Sequence, residues 1–129
     1  MIVIDASVLV HILFDASLEQ DVMRQTEEAG DLVAPHLVDQ EVLHAIRRQL
    51  LLGNIDRDRA ELAVADFEAF TIDRQPVHRL NWRIWELRNN LTPYDAAYTA
   101  LAELLDIPMF TRDSRIARAA GHRALIVVL

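Results

Sequence analysis

The most constraining feature of the sequence is the alternation of very short apolar runs with much longer helical ones. The runs are 2-IVI-4, 32-LVA-34, 107-IPMFT-111 and 124-ALIVV-128, with 70-FTI-72 a further candidate strand. They are too short for helices and rich in β-branched residues, as buried strands are. Between them, periodicity and stop signals predict helices over Ser7–Phe14, Leu18–Ala29, His36–Leu52, Asp56–Phe70, Thr92–Leu105 and Ser114–Ala120. Gly30, Gly53-Asn54 and Gly121 supply the stops. Glu27 and Glu28 mark Leu18–Ala29 as a solvated helix, whereas Leu62, Phe67 and Phe70 give Asp56–Phe70 an apolar side. Pro76 suits the first turn of one more helix, running through Trp82 and Trp85 to Asn89. Strands that alternate with helices from end to end predict an α/β sandwich around a mostly parallel sheet. With 129 residues and no repeat, linker or low-complexity segment, residues 1–129 read as one domain.

Composition narrows the chemistry. The chain has no cysteine, which excludes a disulfide framework, a zinc–thiolate centre and a cysteine nucleophile. Its 13 basic residues are all Arg. Without Lys there is no phosphate-loop lysine and no Schiff-base chemistry. A net charge of −7 argues against binding nucleic acid through a diffuse basic field, so phosphate contacts must come from local Arg clusters. The opening MIVIDASVLV is broken by Asp5 and lacks a basic start, unlike a signal peptide, and no run reaches the length of a membrane span. The expectation is a soluble, cytoplasmic protein.

Four acids fall at element junctions: Asp5, Glu41, Asp95 and Asp113. Singly, each has a structural reading. Asp5 and Asp113 can cap the helices they precede, T-P-Y-D around Asp95 resembles a capping box, and Glu41 can be one polar residue on a helix. Together they suggest more. Asp5 and Asp113 each follow a strand, where the carboxyl ends of a parallel sheet form a ligand-binding rim. Asp95 opens the helix leading into the Ile107–Thr111 strand. Glu41 has Leu37, Val38 and Ala45 as helical neighbours, so it borders an apolar face. Clustered carboxylates without Cys are hard oxygen ligands suited to Mg²⁺ or Mn²⁺. Ser7 and Thr111, two residues from Asp5 and Asp113, could hold or orient a metal-bound water. The chemistry this predicts is metal-assisted phosphodiester hydrolysis.

Four segments then carry a resemblance: 2-IVIDASVLV-10, 35-PHLVDQEVLHAIRR-48, 92-TPYDAAYTALAELL-105 and 110-FTRDSRIARAAG-121. In this order and spacing the chain resembles the PIN-domain ribonucleases, and among them the VapC toxins of type II toxin–antitoxin pairs. The resemblance implies a PIN-like three-layer sandwich with helices flanking a mostly parallel sheet. It implies a Mg²⁺- or Mn²⁺-dependent endoribonuclease with Asp5, Glu41, Asp95 and Asp113 as catalytic metal ligands, supported by Ser7 and Thr111. It also implies a homodimer and a cognate antitoxin that blocks the active-site groove. The chain departs from similar family members at His44, where Asn is common; any contact specific to Asn is then in doubt. The alternatives within reach of the same residues are a housekeeping RNA-processing or DNA-directed nuclease and a non-catalytic PIN-like binding module.

Arg112, Arg115 and Arg118 recur at three-residue spacing beside Asp113. Arg112 and Arg115 are candidates for positioning RNA phosphates, whereas Arg118 reads as part of a solvated face. Arg47 and Arg48 read as surface residues or antitoxin contacts. Trp82 and Trp85, one helical turn apart, read as core or dimer packing ahead of base stacking.

Overall fold

A computed structural model describes residues 1–15 and 19–129. Five strands run β1 Ile2–Ile4, β2 Leu32–Pro35, β3 Ile72–Gln75, β4 Met109–Thr111 and β5 Ile126–Val128. All pairings are parallel, and the order across the sheet is β3-β2-β1-β4-β5. The helices are α1 Ala6–Phe14, α2 Glu19–Glu28, α3 Val38–Leu51, α4 Arg57–Glu68, α5 Asn81–Glu86, α6 Pro93–Leu105 and α7 Ser114–Arg118. Leu18, where the sequence starts its second helix, lies outside the described residues.

The strand order explains the layers. The chain steps outward from β1 to β2 to β3, then crosses back to β4 on the other side of β1 and continues to β5. Right-handed crossovers therefore put α1 to α4 on one face and α5 to α7 on the other. Contacts of α1 with α2, α3 and α4, and of α6 with α5, β1 and β2, fit that division. The sheet is thus the middle layer of a three-layer sandwich. β1 is buried along its whole length, as an apolar strand covered on both faces should be. Val3, Val8, Leu9, Val33, Val38, Val42, Phe67, Tyr98, Leu101 and Met109 form the core.

Local chemistry sets the element ends that matter for the site. Thr92 caps α6 by accepting from the Asp95 N–H at 3.2 Å, and Pro93 occupies the first helical position. Asp106 ends α6 in the left-handed region at φ 53°, a conformation that Asp tolerates better than most residues, and the chain turns into β4. At the far end of α6, the Glu103 carboxylate accepts from Arg83 at 2.7 and 2.9 Å and from the Arg123 N–H at 2.7 Å. Arg83 also donates to the Gly121 carbonyl at 2.8 Å, so one guanidinium ties α5, α6 and the approach to β5 together.

Several boundaries differ from the sequence reading. The third strand is Ile72–Gln75, not Phe70–Ile72, because Asp73, Arg74 and Gln75 pair with Val33, Ala34 and Pro35 at the sheet edge. An edge strand tolerates polar residues that apolar patterning overlooks. Pro76 opens no helix; a 3₁₀ turn at His78–Leu80 precedes α5. Trp82 is 80% exposed and Trp85 58% exposed, so neither belongs to the core. α5 is a single short helix in which both rings project outward, and Arg88 covers the Trp85 ring at 4.6 Å.

Candidate active site

The strand order reverses between β1 and β4, and a parallel sheet opens a crevice at such a switch point, beyond the carboxyl ends of the strands. Asp5 and Thr111 stand there. The Asp5 N–H bonds to the Phe110 carbonyl at 3.0 Å, which fixes Asp5 against β4. Its side chain is buried, and Oδ2 accepts from Ser7 Oγ at 2.6 Å and Thr111 Oγ1 at 2.7 Å. The same hydroxyls accept from the Arg112 N–H and the Asp113 N–H, each at 3.0 Å. A hydroxyl has one proton to donate. With both protons directed at Asp5, the 3.4 Å approach between the hydroxyls is a contact within the network and not a further bond. Ser7 and Thr111 thus orient Asp5 and anchor the 112–113 backbone to it.

Asp5 occupies the N-cap position of α1 but makes no side-chain cap bond, so capping does not explain it. Glu41, in the first turn of α3, is half-buried as its apolar neighbours implied. Its Oε1 is buried without a hydrogen-bond partner. Burial, aided by the charges of Asp5 and Asp95, pushes the Glu41 carboxyl up to about 7. Asp95 is raised as well, first by burial and then by Asp5, with Asp113 adding to it. Asp113 behaves oppositely. Arg115 grips its carboxylate through Nε at 2.9 Å and Nη2 at 2.6 Å, holding it below the usual range. Asp113 also caps α7, accepting from the Arg115 N–H at 2.9 Å. Arg112 donates to the Leu129 carbonyl at 3.3 Å. Both candidate phosphate-binding arginines are therefore engaged within the chain.

Asp5, Glu41 and Asp95 feel one another's charge, and Asp95 feels that of Asp113. Even so, among the described residues no three acidic or histidine side chains form a ready metal cage. Asp113 is drawn onto Arg115 instead. The donor set nevertheless suits a hard divalent cation: it is all carboxylate oxygen, and it carries an unpartnered buried oxygen on Glu41. A cation would neutralise charges that add to burial in raising two of these acids.

One neighbour of Glu41 escapes sequence reasoning. Tyr98 is fully buried, and its hydroxyl lies close enough to Glu41 to favour the charged carboxylate. The geometry falls short of a well-formed hydrogen bond, which leaves the hydroxyl and Oε1 both without a proper partner. The available signal was position: Tyr98 follows Asp95 by three residues on α6, hence on the same face. His44, on α3, is exposed and shares a groove with Glu41, Tyr94 and Asp95.

The PIN domain model matches residues 2–122. Ribonuclease VapC1 of Mycobacterium tuberculosis is 41% identical over 121 residues, covering 92% of this chain and 90% of that protein. Ribonuclease VapC9 of the same species is 36% identical over 129 residues, covering 100% and 98%. The crystal structure of PAE2754 from Pyrobaculum aerophilum superimposes with a TM-score of 0.69 over 96% of this chain and 87% of that one; at 23% identity, it bears on the fold alone. A family model spanning nearly the whole sequence, and relatives aligned from end to end, lead to one conclusion: the chain belongs to the PIN-domain family, among the VapC proteins.

Proposed function

We propose that the chain is a divalent-metal-dependent endoribonuclease, the toxin of a toxin–antitoxin pair, acting on RNA phosphodiester bonds. The observation that carries this reading is the acid group at the switch point, with Glu41 Oε1 buried and unpartnered. Asp5, Glu41, Asp95 and Asp113 would hold Mg²⁺ or Mn²⁺. The bound ion would lower the pKa of a water and stabilise charge on a phosphoryl oxygen. The chain's own share is orientation. Ser7 and Thr111 hold Asp5, α3 presents Glu41, and the first turn of α6 presents Asp95. Glu41, near 7, can carry a proton at Oε1 until a cation displaces it. Arg112 and Arg115 stand at the rim as phosphate-positioning candidates once substrate competes with their present partners.

The ribonuclease names of the VapC relatives support RNA as substrate. A cognate antitoxin would silence the enzyme by filling the groove over the acids. A homodimer would cover the exposed Trp82 and Trp85. Cytoplasmic action fits this reading, and among the described residues no helix is long and apolar enough to cross a membrane. A binding module that had lost catalysis would be expected to lack one of the acids, and all four are present.

The test is cleavage of total RNA by purified protein, with and without Mg²⁺, beside Asp113→Asn. Asn caps helices about as well as Asp. The mutant should therefore melt within a few degrees of wild type while cleavage falls by orders of magnitude. Full cleavage by Asp113→Asn would remove Asp113 from the catalytic set, and no cleavage by the wild type in Mg²⁺ or Mn²⁺ would end the nuclease reading.

A further inference from the structure

A groove of about 500 Å³ opens directly beside the acids, lined by Leu37, His44 and Tyr94 as well as by Glu41 and Asp95. Its walls are indexed to the candidate metal ligands by covalent connection. Tyr94 immediately precedes Asp95 in the first turn of α6, and His44 follows Glu41 by three residues on α3, on the same helical face. Whatever lies in the groove is therefore held at a fixed offset from the reacting centre.

Tyr94 has no structural task that accounts for it. It is 65% exposed, and neither Tyr94 nor His44 is tied by a hydrogen bond or ion pair to another described residue. Trp85 makes a useful contrast, since its ring is already covered by Arg88. The Tyr94 ring is an open aromatic surface on a rigid element beside a proposed catalytic centre. The occupant must also tolerate Glu41 and Asp95 as neighbours. An anionic group is repelled there, whereas a flat, uncharged ring with a hydrogen-bonding edge is not.

We propose that this groove is a nucleobase subsite, in which the RNA base next to the scissile phosphate stacks on Tyr94 and offers its edge to His44. The proposal rests on the nuclease reading above and deepens it by naming what sets the cutting preference. Aromatic stacking of single-stranded bases tolerates any sequence, because every base has a π-face. Discrimination therefore falls to the edge contact at His44.

The test uses the full chain and two fluorescein-labelled octaribonucleotide pools, one of random sequence and one abasic throughout. Binding is followed by anisotropy, with Ca²⁺ replacing Mg²⁺ to suppress cleavage. Tyr94→Ala should weaken binding of the random pool about tenfold, as loss of one stacked base does. Tyr94→Phe should stay within about twofold of wild type. The abasic pool should bind wild type and Tyr94→Ala equally, an outcome that mere damage to the fold cannot produce. His44→Ala should redistribute the bases flanking the cuts in total RNA. Undiminished binding of the random pool by Tyr94→Ala overturns the subsite, as does an equal loss for both pools or no RNA binding by the wild type. If Tyr94→Ala keeps RNA binding and cleavage but escapes a protein inhibitor, the groove is a protein-docking site instead. The two readings separate cleanly: Tyr94-dependent binding without cleavage leaves the subsite and removes the nuclease, whereas cleavage indifferent to Tyr94 does the reverse.

Discussion

Replacing Glu41 with Gln should flatten the pH dependence of stability. In the folded protein Glu41 titrates at about 7, against an ordinary 4.5, first because it is buried and then because Asp5 and Asp95 are close. The fold therefore binds this proton more tightly than the unfolded chain does. Its stabilising contribution is complete below pH 4.5 and is lost as the pH rises through 7. At about 1.4 kcal/mol per tenfold change in proton affinity, the displacement sets an upper bound of about 3 kcal/mol. Water reaching a half-buried carboxylate reduces that to roughly 2 kcal/mol. Unfolding entropy of about 2.1 cal/mol/K per residue makes each kcal/mol worth about 4 °C in a chain of this length. Part of that contribution is already gone at pH 5, so metal-free wild type should lose roughly 5 °C more than Glu41→Gln between pH 5 and pH 8, and the mutant should be the more stable at pH 8. Asp95 adds a decline of the same sign to both proteins, so the difference isolates Glu41. The assay is a series of thermal melts in EDTA. Parallel pH profiles for the two proteins would refute the idea that Glu41 is forced into an unneutralised, desolvated position.

Two further outcomes separate site from scaffold. Mg²⁺ or Mn²⁺ at about a hundred times its Kd should stabilise wild type by about 2.7 kcal/mol, raising Tm by roughly 10 °C; Asp95→Asn should lose most of that gain, and equal gains would leave Asp95 as a helix-terminal residue only. Arg83→Met strips the nearly buried Glu103 carboxylate of its two-pronged partner and should cost about 2–3 kcal/mol while RNA cleavage per folded molecule stays at wild type; an unchanged melt would show that the α5–α6 tie contributes nothing.

What could be foreseen follows from how each signal is encoded. Short apolar runs such as IVI identify strands because burial on both faces favours apolar side chains, and the acids that follow β1 and β4 are legible by their position. Glu41 was legible because Leu37, Val38 and Ala45 surround it along one helix. Polar partners across the chain were not. The Asp5–Thr111 bond joins residues 106 apart, and nothing in either local sequence says which hydroxyl proton goes where. The Arg115 grip on Asp113 was hidden for another reason: Arg115 reads in sequence as a phosphate contact, and spacing alone does not show that its guanidinium is already taken by Asp113. The exposed tryptophans misled because hydrophobic periodicity reports an apolar side, not what covers it.

The position of β1 in the middle of the sheet bears on synthesis. As the chain emerges from the ribosome, residues 1–75 can assemble β1, β2 and β3, with the β4-facing edge of β1 left bare until Met109–Thr111 arrives. Asp5 and Glu41 belong to that early half; Asp95 and Asp113 come from the late one. No nascent fragment ending before residue 109 has the Thr111 clasp on Asp5 or the last acid. A ribosome making this protein therefore carries an incomplete acid group until the segment from Met109 onward docks, and the strand pairing that closes the sheet also completes that group.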